Sequence, residues 1–281
     1  MNSKSENDLL AYLILTIAVL LILCLIGGAV LAVVKIVNAD DASEALTPTD
    51  TVTETDSVPT QVDPLTVTLG ETPDAGMKYI DRMIFFGEST TAHLRSRGVL
   101  TGRTSTKQVW ADTGGTKTLS SKITSEKIVY PETGESLTIA EACAKAQPEY
   151  LVLSFGLNGI SGFISNKSSY VNAYNKLIRA VQEASPNTKI ILQSVYPVCD
   201  GKGSQAFGVD VATLNAHIQT LNTWLPEIAA SHENVRIADT ASVLKNADGQ
   251  LVSSYNNDDG IHLTASAYEA ILAYLRTHAW Q

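Results

Sequence analysis

Two short stretches carry residue types suited to nucleophilic catalysis. The first, Met83-Ile84-Phe85-Phe86-Gly87-Glu88-Ser89-Thr90-Thr91, is an apolar run that turns at a glycine into a hydroxyl-bearing residue. An apolar run of that length suits a strand buried on both faces. Thr91-Ala92-His93-Leu94-Arg95 continues as a helix start would. A serine at a strand-to-helix corner holds its hydroxyl at the sheet's edge. There the first N–H groups of the helix lack intrahelical partners and point outward, able to stabilise negative charge on a reacting carbonyl oxygen. Ser89 is therefore the candidate nucleophile. The second stretch is Asp259-Gly260-Ile261-His262, in a loop before the last helical pattern. A general base must reach the nucleophile's proton, and a carboxylate must hold the base's tautomer and neutralise its cation. The Asp259 to His262 spacing lets one loop present both groups.

Two further stretches offer oxyanion donors. Phe155-Gly156-Leu157-Asn158-Gly159 directly follows the apolar run Tyr150-Leu151-Val152-Leu153-Ser154. An asparagine at a strand's carboxyl end can aim its side-chain amide at a developing oxyanion. Trp110-Ala111-Asp112-Thr113-Gly114-Gly115-Thr116 supplies glycines whose backbone N–H can approach the same oxygen with no side chain between.

The elements that must position these groups follow from alternating patterns. Apolar runs at Arg82–Phe86, Gln108–Ala111, Tyr150–Phe155, Lys189–Val195 and Val235–Ala238 read as strands. Helical patterns at Ile139–Ala146, Tyr170–Ala184, Val211–His232 and Ala265–His278 fall between and after them. Gln147-Pro148 and Ser185-Pro186-Asn187 are helix stops. Strand and helix in alternation predict a parallel sheet wound on both faces, with ligands outside the carboxyl ends of its strands. This topology puts Cys143 at the amino end of the sheet and Cys199 at the carboxyl end. A strand's length of about 17–20 Å then separates them, too far for a disulfide, and two free thiols are expected.

The order Gly-Glu-Ser, then Gly114, then Gly156-Leu157-Asn158, then Asp259 and His262 resembles the SGNH (GDSL-like) hydrolase family over roughly residues 80–280. The resemblance implies a three-layer, flavodoxin-like α/β sandwich with a five-stranded parallel sheet. It implies Ser89, His262 and Asp259 as the triad of a serine esterase working through an acyl-enzyme. It implies an oxyanion hole of the Ser89 N–H, Gly114 and Asn158, with Gly115 the rival of its neighbour. No Walker loop, His-Glu-x-x-His or paired Cys-x-x-Cys appears, so no cofactor or metal is expected. Two positions depart from the family pattern: Glu88 replaces the aspartate of Gly-Asp-Ser, and Gly159 replaces the aspartate of Gly-x-Asn-Asp. Neither is the triad acid, so activity is expected to survive, with loop geometry and substrate preference altered.

Plainer readings stand beside these. Ser89 alone reads as a helix cap, Asn158 as a turn residue, and Asp258 as a solvated neighbour that could replace Asp259 if the loop shifted register. Gly134-Glu135-Ser136-Leu137 is a decoy with no apolar run before it; Ser136 reads as the cap of the helix holding Ile139. His93, His217, His232 and His278 read as ordinary surface histidines. Gly201-Lys202-Gly203-Ser204-Gln205-Ala206 loosely matches a dinucleotide fingerprint but opens no helix directly, so it reads as a flexible loop over the site. Loops 159–169 and 197–210 are expected to shape the pocket.

Residues 1–8 are a short polar lead, and residues 9–34 contain no charge, an apolar run that at helical rise more than spans a bilayer core of about 30 Å. They read as an uncleaved transmembrane anchor, with Val37-Asn38-Ala39 as the alternative cleavage site. From Asp40 to Met77 the chain carries nine acidic residues and no Lys or Arg, which accounts for the whole formal charge of −9. Residues 35–77 therefore read as a disordered acidic linker, about 35 Å end to end as a coil. Residues 78–281 are near neutral and read as the catalytic domain, which makes nucleic acid a poor partner. Together with the resemblance, a tethered, extracytoplasmic domain suggests hydrolysis of a small acyl ester, such as acetyl, on a carbohydrate. Transfer of the acyl group to a sugar hydroxyl, or a non-catalytic binding module on the same fold, are the alternatives.

Overall fold

The computed structural model describes residues 63–281 apart from 113, 115 and 116. The polar lead, the apolar run at 9–34 and the linker as far as residue 62 lie outside the described residues. No helix among the described residues is long and apolar enough to cross a membrane.

In chain order the elements are α1 (Met77–Ile80), β1 (Met83–Gly87), α2 (Ser89–Ser96), β2 (Val109–Trp110), β3 (Lys127–Val129), β4 (Ser136–Thr138), α3 (Ile139–Ala146) and β5 (Tyr150–Ser154). There follow α4 (Ile160–Ser165), α5 (Lys167–Ala184), β6 (Lys189–Gln193), α6 (Lys202–Gln205), α7 (Val211–Ala230), β7 (Val235–Ala238) and α8 (Ala265–Thr277). Five strands form one sheet in the order β2-β1-β5-β6-β7, and every neighbouring pair is parallel.

The strand sequences explain why both faces are covered. Successive side chains point to opposite faces, so Phe86, Leu151, Leu153, Ile190 and Leu192 enter one core. Phe85, Val152 and Ile191 enter the other. α3, α5 and α7 close the first core with Cys143, Tyr174, Leu177 and Leu221 among others. α8 and α2 close the second with Tyr268, Ile271 and Leu94. This is the expected three-layer arrangement. Helix ends follow local chemistry: Thr138 and Glu141 form a capping box on α3, and Asp210 accepts from Thr213 N at 2.9 Å to cap α7. Cys143 and Cys199 are free thiols, as expected.

Three expectations are corrected. Ser136 does not cap α3; it lies in β4, paired with Val129 in an antiparallel hairpin that the sequence pattern did not reveal. Residues 159–169 are not a loop but mostly α4 and the start of α5. The linker does not run to residue 77. Thr68 bridges Ile237 in parallel beyond β7, and Leu69 N donates to Ile237 O at 2.8 Å. Val67 and Leu69 are buried, one in each core. Thr72 N and Ala75 N donate to carbonyls at the end of α8. The segment's acidic, Thr- and Pro-rich average hid the alternation Val67-Thr68-Leu69. Removing residues 1–77 rather than 1–62 is therefore expected to cost about 3 kcal/mol and lower Tm by roughly 6–12 °C in a thermal melt. Equal melting of the two truncations would refute this packing role.

The sheet order reverses at β1: β2 lies on one side of it and β5 on the other. Loops leaving β1 and β5 diverge there, opening the crevice in which such sheets bind ligands.

Candidate active site

Gly87 ends β1, Glu88 is the N-cap residue of α2, and Ser89 is its first helical residue. The turn is tight enough to need a glycine, since a Cβ at position 87 would collide with the Ser154 carbonyl and the Thr91 hydroxyl. No helical carbonyl can reach the Ser89 N–H from its place in the first turn. The turn is held from behind, where Glu88 N donates to Ser154 O at 3.1 Å and the Tyr268 hydroxyl donates to Thr90 O at 2.5 Å.

The loop before α8 meets this corner. Ser89 Oγ lies 2.9 Å from His262 Nε2, and His262 Nδ1 lies 2.5 Å from Asp259 Oδ2. The other carboxylate oxygen, Oδ1, accepts from His262 N at 2.8 Å and Ile261 N at 3.0 Å. The carboxylate is thus fixed by the turn it belongs to. Burial pushes the Asp259 carboxyl up, but the His262 N–H, the His262 ring and the Ile261 N–H outweigh it and hold it below its ordinary value. With Asp259 ionised, Nδ1 carries the imidazole proton and Nε2 is left to accept from the serine hydroxyl. Such an arrangement can withdraw a proton from the hydroxyl and neutralise the resulting cation. Asp258 is exposed with φ 66° and does not replace Asp259.

Asn158 follows β5 and donates Nδ2 to Lys117 O at 3.1 Å. An amide nitrogen has two donors, so one remains for a ligand in the cleft, which Asn158 lines with Ser89 and His262. Gly114 lines the same cleft. Its N–H, however, donates to Asp112 Oδ1 at 3.1 Å, so the donor expected to face an oxyanion is engaged by its own turn. Gly115, its rival, lies outside the described residues.

Two residues matter more than the sequence suggested. Glu88, read as a departure beside the chemistry, is only 4 % exposed. Its carboxylate accepts from Gly156 N at 2.8 Å and from Asn158 N at 3.1 and 3.2 Å, tying the first loop to the third. Burial pushes its pKa up to about 8, against the opposing pull of the Gly156, Asn158 and Leu157 N–H groups. His93, read as a surface residue, stacks at a tilt on His262 with ring centroids 4.3 Å apart. Burial, and then the neighbouring His262 and Arg97, push its pKa down, while Asp259 pulls it up. One signal for His93 was present, because residues four apart share a helix face and His93 stands that far from Ser89.

The Gly201–Ala206 stretch is neither a dinucleotide loop nor free. α6 lies within it and packs on the Asp259 loop, with Gly203 N donating to Asp259 O at 2.8 Å. Among the described residues no group of three or more His, Cys, Asp or Glu side chains could hold a metal ion.

The family described as GDSL-like Lipase/Acylhydrolase matches residues 85–270, a span that contains every group above. The chain belongs to that family. GDSL-like acylhydrolases are esterases, so this is an enzyme acting on acyl esters. No curated protein matches the chain. Among solved structures, a GDSL-like lipase from Bacteroides thetaiotaomicron is 16% identical, covering 73% of this chain and 90% of its own, with a TM-score of 0.47. A carbohydrate esterase family 3 protein from Talaromyces cellulolyticus is 15% identical, covering 69% and 93%, with a TM-score of 0.43. A family two carbohydrate esterase from Clostridium thermocellum is 15% identical, covering 69% and 62%, with a TM-score of 0.45.

Proposed function

We propose that this GDSL-like acylhydrolase cleaves a short acyl ester, such as acetyl, from a carbohydrate through a covalent acyl-serine. The observation that carries the reading is the continuous relay from Ser89 Oγ through the His262 ring to the Asp259 carboxylate. His262 Nε2 takes the hydroxyl proton as Ser89 Oγ bonds to the ester carbonyl carbon. The carbonyl electron pair moves onto oxygen, where the Ser89 N–H and the remaining Asn158 Nδ2 donor receive it. The oxyanion collapses, the bond to the alcohol breaks, and His262 gives its proton to the leaving oxygen. Water then repeats the sequence on the acyl-serine, releasing the acid and restoring Ser89. Asp259 orients the imidazole throughout.

A short acyl group is supported by the Asn158 side of the cleft, where Thr118 and Gly159 stand rather than long apolar side chains. An extracytoplasmic domain held by residues 9–34 is part of the same proposal.

The test is hydrolysis of p-nitrophenyl acetate, butyrate and octanoate, with labelling by a serine-directed fluorophosphonate. Acetate is expected to give the highest kcat/KM, with the label on Ser89. Fastest turnover of octanoate would overturn the short-acyl reading; no turnover and no label would overturn the enzymatic one.

A further inference from the structure

We propose that the segment Cys199–Gly208 forms the leaving-group wall of this site, and that Phe207 is the platform on which a ring-shaped, hydroxyl-bearing alcohol stacks. The inference rests on the ester-cleaving reading above and names the alcohol it selects. The chemistry fixes which side the alcohol occupies. His262 must hand a proton to the leaving oxygen, so the alcohol lies beside the imidazole, while the carbonyl oxygen points toward Asn158.

The segment belongs to the imidazole side because it is bonded to the loop that carries the imidazole. Cys199 N donates to Gly260 O at 3.0 Å, and Gly203 N and Ser204 N donate to Asp259 O at 2.8 and 3.3 Å. The two backbones touch so closely that a Cβ at Gly203 would stand 2.5 Å from Ile261 Cγ1 and 2.8 Å from Asp259 O. The segment that looked like a mobile flap is therefore docked. Its last turn closes with Phe207 N donating to Ser204 O at 3.2 Å. Phe207 and Ile261 both pack against the main core, and both line the cleft with His93 and His262. Packed against the core on one side, the half-buried ring leaves an apolar face toward the cleft.

The occupant's chemistry follows from this wall. One aromatic face and one isoleucine offer apolar area for a ring but no enclosed trough for an alkyl chain. His93 lines the same cleft, its Nδ1 buried and without a partner. The other ring nitrogen is left to meet a hydroxyl. An apolar face and a hydrogen-bonding edge in one cleft match a pyranoside, whose C–H face stacks on an aromatic ring while its hydroxyls project sideways.

The experiment compares the full-length chain with Phe207→Ala, Phe207→Leu and Phe207→Trp on two acetyl esters. One is a mono-O-acetylated methyl glucopyranoside, the other ethyl acetate, whose alcohol is too small to reach the wall. Phe207→Ala and Phe207→Leu are expected to lower kcat/KM on the glucoside about five- to ten-fold, mainly through KM. Ethyl acetate turnover should change less than about two-fold, and Phe207→Trp should keep glucoside turnover. Phe207→Leu keeps an apolar contact with the core while removing the aromatic face, so it reports on stacking if the alanine variant unfolds. Equal losses on both esters, or no loss on the glucoside, would overturn the wall. Ser89→Ala run beside them separates the two readings: turnover that survives it refutes the nucleophile, whereas Ser89-dependent turnover indifferent to Phe207 refutes only the wall.

Discussion

Ser89→Ala should lower kcat on p-nitrophenyl acetate by on the order of 10⁵–10⁶-fold, and His262→Ala should lower it by a similar factor. The double variant should be no worse than either single one, because the hydroxyl and the imidazole act as one unit across their 2.9 Å contact. Asp259→Asn is expected to cost about 10⁴-fold. Its carboxamide would have to place either a second donor or a carbonyl against His262 Nδ1, and the former favours the tautomer unable to accept from Ser89. KM should change little in all of these, since none removes apolar contact with the ester. Steady-state kinetics with an active-site titration decide the matter. Losses under ten-fold for Ser89→Ala would show that the hydroxyl is not the attacking group.

Glu88 carries the second large effect, on stability and activity together. Glu88→Ala leaves the Gly156, Leu157 and Asn158 N–H groups without the carboxylate they share. At about 1–3 kcal/mol for each buried donor left unpaired, roughly 3–9 kcal/mol of stability should be lost. The side chain of Asn158 is aimed by the same loop, so kcat should also fall, by about 10²-fold if the amide no longer meets the oxyanion.

Glu88 also makes a pH prediction with a definite sign. Its pKa is raised from 4.5 to about 8 in the fold, by burial above all. The folded state therefore binds this proton more readily than the unfolded chain. The carboxyl has no net effect on stability below about pH 4.5, costs stability increasingly as pH rises, and reaches its full cost above about pH 8. Glu88→Gln removes the titration. The stability of the wild type minus that of Glu88→Gln should therefore fall between pH 4.5 and pH 8, as read from denaturant melts at a series of pH values. A difference that rises with pH would mean that the three N–H groups outweigh burial and keep Glu88 ionised.

Much of this protein was written in short-range pattern. The apolar runs at Met83–Gly87 and Tyr150–Ser154, the capping residues and the helix stops each act within a few positions. The order of the five sheet strands and the longer helices could therefore be read directly, and with it the corner that presents Ser89, whereas the β3–β4 hairpin, α4 and α6 could not. Asp259 and His262 were legible for the same reason: a turn of four residues holds both, and its own N–H groups fix the carboxylate.

What only the tertiary structure decided are relations between segments distant in the chain. That Glu88 serves Gly156 and Asn158 depends on β5 lying beside β1 rather than elsewhere in the sheet. That Gly114 turns its N–H inward depends on Asp112 closing its own turn. Val67 and Leu69 gain meaning only against the exposed edge of β7, which no average over an acidic segment could reveal. The docking of Gly203 on Asp259 O likewise needed two loops from different strands to arrive together. Periodicity and capping are properties of adjacent residues, whereas strand order and loop contact are set by which buried surfaces fit one another. Local sequence thus named the residues that meet in the cleft, and the packing of the whole sheet decided what holds them.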